Sequence, residues 1–411
     1  MKRTLVLAVA VAFCCTLVYG ATVHTKRKNN YIREGPGAYY ELIAIVPENT
    51  PLEVVEKSDQ WVQVRVPDRK NGWIASNCLS EKPIAGAKQV SLENVWSSPK
   101  ASRAGVSAAI KGFGEKYGKS SAGVLDQVLN MERKSFSAAD VAAFAQALQR
   151  EPSANRGRLQ LDKLGLAFGG FDPGLSEQKI GAGIAARIAS RGLVDDRKLL
   201  DYVNLIAASI ISSSGLFDWD VTIYILNDPR INGFAVPGGY IFITLGAIQH
   251  CGDEAELAAI IAHEIGHIIA RHGLTEMTSR MVNILADEAF AELEEETGPK
   301  TPDEEELDDL IDKTYESIVA RRLLGYEVAA DKMSSVFCAN VGYDPFGLDR
   351  IAEKVARAPR EEKSVFDPGY MTPDDAVKRY DAIKVFLREQ FDRTTPGARM
   401  KDRRDESLKG R

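Results

Sequence analysis

Residues 259–273 read AIIAHEIGHIIARHG and bring His263, Glu264 and His267 into one short stretch. Histidine is scarce in this chain, five in all, and three of them fall between positions 263 and 272. On a helix, His263 and His267 stand one turn apart on the same face. Two imidazoles so placed can share one zinc ion. Glu264 lies beside them, where a carboxylate can take the proton of a water that zinc acidifies. The surroundings favour a helix, with Asp253 as cap, Glu256 three residues on and Gly273 as stop. Leu257, Ile260, Ile261, Ile265, Ile268 and Ile269 would bury it. The competing reading is a buried helix with two incidental histidines, and the clustering of a scarce residue argues against it.

Zinc needs a third protein ligand and an open position for water and substrate. The pattern that takes a third histidine from the same stretch requires Gly at 270 and His at 273; the residues there are Ala270 and Gly273. His272, five residues past His267, is turned well off the ligand face of a continuous helix. The segment 321–334, RRLLGYEVAADKMS, offers Glu327 and Asp331 one turn apart with small alanines between them. Glu327 is the candidate third ligand. Asp331 is the candidate to hydrogen-bond a ligating histidine, His263, and set its tautomer. Taken alone, Glu327 reads as a surface glutamate; its pairing with His-Glu-x-x-His and with Asp331 makes it a ligand.

These groups need a frame. The chain has 411 residues, more than one hydrophobic core usually organises, so two or more domains are expected. Its composition, 45% hydrophobic and 27% charged, is that of a globular protein, and a net charge of −6 gives no reason to expect a nucleic-acid partner. Residues 1–20 open with Lys2 and Arg3 and run apolar from Leu5 to Val18. They place Val18 and Gly20 ahead of a cut before Ala21, the pattern of a secretory signal peptide. That run is too short to span a bilayer comfortably. Phe13 stands where a lipoprotein signal wants a small residue, which argues against lipidation at Cys14 or Cys15. The mature chain keeps Cys78, Cys251 and Cys338, too few for a disulfide scaffold, with one bridge left open. No later segment reads as a membrane span. The expected product is exported, periplasmic or secreted, and at most peripheral to a membrane.

Residues 24–82 read as a small all-β domain, with strands at Tyr39–Val46, Pro51–Val55, Trp61–Val66 and Gly72–Ala75 separated by turn residues. Residues 83–155 read as a helical connector in which Ser137 caps a helix that carries Asp140. Residues 156–392 mix helices with strands. The strands Val221–Leu226 and Tyr240–Thr244 are joined through Pro237-Gly238-Gly239, helices run over 253–272 and about 315–340, and acidic residues 292–312 form a solvated face or loop. Residues 393–411, charged and containing Gly and Pro, read as a disordered tail. The expected fold class is α+β.

The segment Tyr31–Ser80 opens with Arg33-x-Gly35-Pro36-Gly37, carries Trp61 centrally and closes with Gly72-Trp73-Ile74. It resembles bacterial SH3-like domains, small β-barrels, and the resemblance implies a cell-wall or protein ligand; Trp61 and Trp73 read equally well as core residues. Residues from about 176 to 390 resemble the gluzincin peptidases of the HtpX, CAAX prenyl endopeptidase and soluble BepA type. Beside the two metal motifs, the resemblance includes DYVN at Asp201–Asn204 and DPRINGFAVPGGYIFITLGAI at Asp228–Ile248. It implies a mainly helical zincin-type domain with a small sheet, one zinc per chain and polypeptide substrates. The implied activity is hydrolysis of peptide bonds in envelope or secreted proteins, as protein quality control. Asn232, Gly233, Phe234 and Ala235 would then belong to a hairpin whose edge takes up an extended substrate beside the metal. Many relatives carry a His-Pro pair with a following arginine after the glutamate ligand. Here residues 369–383, GYMTPDDAVKRYDAI, hold Thr372-Pro373 and no histidine, with Lys378 or Arg379 at the basic position. Arg379 and Tyr370 become the candidates for oxyanion or substrate contacts. Two alternatives stand beside this reading. One is a cell-wall peptide hydrolase targeted by the SH3-like domain. The other is a non-catalytic chaperone or assembly factor with a zinc fold, which would have no need of Glu264.

Overall fold

A computed structural model of the chain describes residues 20–58, 60–67, 71–96, 111–112, 122–157, 160–161, 164, 175–212, 217–274, 311–316, 318–319, 323–357 and 371–410. Residues 1–19, where a signal peptide is expected, most of the acidic stretch and Tyr370 lie outside the described residues. The chain divides into two units, residues 1–103 and 104–411.

In the first unit, seven short strands form one antiparallel sheet: β1 (Thr22–Thr25), β2 (Asn30–Arg33), β3 (Leu42–Val46), β4 (Pro51–Ser58), β5 (Trp61–Arg65), β6 (Asn71–Ala75) and β7 (Leu79–Ser80). Their order is β3-β2-β6-β5-β4-β1-β7. Period-two alternation builds the core: Leu52 and Val54 of β4 point inward with Val64 of β5 and Ile74 of β6. Register shifts beside Ile32 and Val54 bend the sheet on itself. The strand expected from Tyr39 begins only at Leu42, and β1, β2 and β7 add to the expected four. Trp61 is buried in the core and Trp73 is half-buried.

The second unit holds helices α1 (Ala122–Met131), α2 (Ala138–Gln149), α3 (Leu175–Ala189) and α4 (Arg197–Ser212), then strands β8 (Thr222–Leu226), β9 (Gly233–Val236) and β10 (Tyr240–Thr244). Six more helices follow: α5 (Leu245–His250), α6 (Glu254–Ile269), α7 (Leu324–Val341), α8 (Gly347–Ala356), α9 (Pro373–Gln390) and α10 (Lys401–Ser407). The fold is α+β. The sheet runs β8-β10-β9, with β8 parallel to β10 and β9 antiparallel to it across Pro237-Gly238-Gly239, Phe242 facing Phe234. Asn204 of α4 locks β8 in place, donating to the Ile223 carbonyl and accepting from the Ile223 N–H.

Helix α6 is buried along its whole length and so sits inside the unit, not on its face. Asp253 caps it by accepting from the Glu256 N–H at 2.9 Å, and Glu256 reaches back to the Gly252 N–H at 2.8 Å. The helix stops at Ile269, ahead of the expected Gly273. Arg271 adopts a φ of 53°, in the left-handed region, and turns the chain back there. Helix α7 stops at Gly342, whose φ is 110°.

Two segments depart from expectation. Helices α1 and α2 are part of the second unit's fold: Leu148 of α2 enters its core, and the Val128 carbonyl of α1 accepts from the Tyr224 hydroxyl. The segment 393–411 is no disordered tail. Ala398 is buried, α10 follows it, Arg399 lies 2.6 Å from Asp253, and Arg403 pairs with Glu254. Its charges are the counterions of buried acids, a pairing no local pattern announces. Cys78, Cys251 and Cys338 are buried and not joined by disulfides, so the bridge left open is not formed. Among the described residues, no helix is long and apolar enough to cross a membrane.

Candidate metal centre

Two helices supply the centre, and small residues let them meet. A Cβ built on Gly266 of α6 would stand 3.3 Å from both the Cα and the carbonyl oxygen of Ala330 on α7. This close crossing brings the Glu327 carboxylate up to both imidazoles. Glu327 Oε1 is 3.2 Å from His267 Nε2, and Oε2 is 3.4 Å from His263 Nε2. The two Nε2 atoms are 3.0 Å apart, and one ligand atom from each residue lies within 4.8 Å of the others. All three side chains are buried.

The outer edges of the imidazoles are also engaged. His263 Nδ1 is 2.8 Å from Asp331 Oδ1, so this nitrogen donates and Nε2 is the one turned to the metal position. Arg379 of α9 grips Asp331 with two donors, each at 2.7 Å, and sets Nη1 3.0 Å from Glu327 Oε2. Burial alone would raise the Glu327 carboxyl; Arg379 and then the imidazoles outweigh it and hold it well below the usual carboxylate range. Asp331 is lowered in the same way, by Arg379 and His263 against its burial. Burial works against a charge on His263, yet Asp331 and Glu327 overcome it and push the imidazole up to about 9. The donor set therefore fits a cation: one guanidinium faces two buried carboxylates, and two imidazole nitrogens converge on one point. Borderline nitrogen and oxygen donors in this number suit zinc.

Glu264 is buried beside this cluster and borders a cleft lined also by Ile260, His263, Leu348, Ile351 and Val355. Strand β9 ends the sheet next to it. A Cβ on Gly233 would stand 2.5 Å from Glu264 Oε1, so the backbone approaches the carboxylate only because the residue is glycine. Asn232 and Gly233 border the cleft as well. Phe234 and Ala235 are buried side chains, and Ala235 belongs to the hydrophobic core, so what that pair can offer a substrate is main chain.

Of the other candidates, Arg379 lies in the centre with its guanidinium committed to Asp331 and Glu327, while Lys378 is exposed and pairs with Asp375 at 3.7 Å. Thr372 caps α9 by accepting from the Asp375 N–H. Tyr370 lies outside the described residues. The residue that sequence reasoning set aside is His272. The left-handed turn at Arg271 brings its Nδ1 to 2.8 Å from His267 Nδ1, and its ring stacks on Tyr326.

Comparison with known proteins agrees with both halves of this description. Residues 199–297 match the model of peptidase family M48, and residues 28–80 match that of the bacterial SH3 domain. The chain thus carries an M48 peptidase domain and a bacterial SH3 domain. Glu327 and Asp331 lie beyond the first matched stretch. The mitochondrial metalloendopeptidase OMA1 of Schizosaccharomyces pombe is 35% identical over 94 residues, 23% of this chain and 28% of that protein. OMA1 of Arabidopsis thaliana is 26% identical over 141 residues, 34% of this chain and 26% of its own. The beta-barrel assembly-enhancing protease of Escherichia coli K12 is 29% identical over 83 residues, 20% and 17% of the two chains. The matches therefore span less than a third of each relative's length.

Proposed function

We propose that this chain is a zinc-dependent endopeptidase in which His263, His267 and Glu327 hold one metal ion and Glu264 moves the proton. The observation that carries the reading is the convergence of three buried ligand atoms within 4.8 Å of one another, beside Glu264 on an open-sided cleft. Zinc, when bound there, supplies Lewis acidity to a water and to the scissile carbonyl oxygen. Glu264 takes the proton of the attacking water and returns it to the leaving amine nitrogen. Asp331 fixes the tautomer of His263, and Arg379 keeps Asp331 and Glu327 ionised and aimed. The edge of β9 at Gly233 offers main chain to an extended substrate, the N–H and carbonyl of Asn232 being turned to Thr244, and the apolar wall of Ile260, Leu348 and Ile351 takes up an apolar side chain. The signal segment and the relative named for β-barrel assembly favour envelope or secreted proteins as substrates, in quality control.

Purified protein assayed for metal content and casein cleavage tests the reading. Zinc near one per chain is expected, with Glu264→Gln retaining zinc while cleavage falls about 10²–10⁴-fold. Glu327→Ala should lose the metal. Folded protein that was never exposed to chelator and yet holds no zinc would overturn the proposal.

A further inference from the structure

The two imidazoles of the centre are backed differently. His263 has a carboxylate behind it, Asp331 at 2.8 Å. Behind His267 stands a third imidazole: the Nδ1 atoms of His267 and His272 are 2.8 Å apart, and the rings meet edge to face at 4.9 Å. On a continued helix His272 would sit about 140° around from His267, out of reach. It arrives because α6 ends at Ile269 and Arg271 takes a left-handed conformation, with its side chain 3.4 Å from the buried Glu177. The other face of the His272 ring is fixed by Tyr326, whose ring stacks on it at 4.3 Å and 12°. Tyr326 immediately precedes Glu327, so one stack ties the end of the histidine helix to the start of the glutamate helix.

From this geometry we infer that His272 is the positioning residue for His267, accepting the Nδ1–H proton of that ring and so presenting its Nε2 lone pair to the metal. His267 directs Nε2 toward Glu327 and His263, so a metal held there takes the Nε2 lone pair and leaves the ring proton on Nδ1. The acceptor 2.8 Å away is then the bare Nδ1 of His272, whose own proton sits on Nε2. A ligating imidazole left without such a partner rotates and changes tautomer more freely, and metal affinity falls. The inference rests on the zinc reading above, and the test separates the two.

In the full chain, His272→Phe keeps a ring against Tyr326 and removes the acceptor, and His272→Asn restores an acceptor near the position of Nδ1. Competition with a chromogenic chelator gives the zinc dissociation constant, and thermal unfolding of the metal-free forms reports folding. The expected result is a zinc affinity about 10–100-fold weaker in His272→Phe, with the parent's metal-free melting temperature, and recovery in His272→Asn. Parent-like affinity in His272→Phe overturns the inference, as does an asparagine variant as weak as phenylalanine. A parent that binds no zinc would sink the zinc reading alone. The hydrogen bond is then read directly by nuclear magnetic resonance of the metal-free chain, as a slowly exchanging low-field ring N–H present in the parent and lost in His272→Phe. Its absence from the parent overturns the inference.

Discussion

The two ends of helix α6 both carry buried carboxylates, and they are handled in opposite ways. At the N-terminal end, Asp253, Glu254 and Glu256 sit where the helix dipole favours acids. Cations answer each of them: Arg399 and Arg350 reach Asp253, Arg350 and Lys354 reach Glu256, and Arg403 reaches Glu254. Tyr202 and Tyr343 add hydroxyl donors to Glu254 at 3.0 and 2.6 Å. Near the other end, Glu327 and Asp331 face Arg379 and converging imidazoles, with Glu264 buried beside them. Burial is equal at the two ends; among the described residues, charge balance is not. A buried cluster that is matched is scaffold, and one that is left short of positive charge is where a cation belongs.

The comparison can be broken most severely at Arg379. Arg379→Ala should destabilise the metal-free protein by about 4 kcal/mol, since Glu327 and Asp331 lose their shared partner. Zinc should return part of that loss, so denaturant unfolding with and without metal should show a wider gap than in the parent. Arg403→Ala, at the matched end, should cost about 3 kcal/mol, held to the low side because two tyrosines still donate to Glu254. Here the loss should be the same with and without zinc; a zinc-dependent loss would undo the distinction between the ends. Asp331→Asn should weaken zinc binding about 10–100-fold while leaving the matched cluster intact, measurable by chelator competition.

The smallest effect is on pH dependence. His263 in the metal-free centre is raised from 6.5 to about 9, so at neutral pH it holds a proton that zinc must displace. Calorimetry in buffers of different ionisation enthalpy should show proton release on zinc uptake, and apparent affinity should weaken as pH falls below about 9. In the metal-free chain the same shift acts on stability. The gain is full below the unfolded value near 6.5 and is lost as pH rises through about 9, so unfolding measured from pH 6 to 10 should show that loss.

Much of this contrast was legible in the residues because it is local. His263 and His267, like Glu327 and Asp331, are spaced one turn apart, and a helical period places each pair on one face. The short strands set off by turn residues between Tyr39 and Ala75 announced the β-domain for the same reason. What escaped was made by chain reversal or by distance. His272 reads as misplaced until Arg271 is seen in the left-handed region, a conformation that non-glycine residues seldom adopt. Residues 393–411 look like a solvated tail because the acids that Arg399 and Arg403 answer lie 146 and 149 residues earlier in the sequence. Gly233 looked like part of a substrate strand, and only the position of Glu264 shows why no side chain fits there.

The matched end of α6 also sets a timetable. Arg399 and Arg403 lie 146 and 149 residues after the acids they neutralise. A ribosome makes Asp253 and Glu254 long before it makes Arg399 and Arg403, so the metal helix meets its full set of counterions only when the last residues of the unit are present. The seven-stranded sheet finds every pairing within residues 22–80 and can close early. Completion of the candidate centre thus waits on residues 399–403, an order of assembly written into the distance between two acids and two arginines.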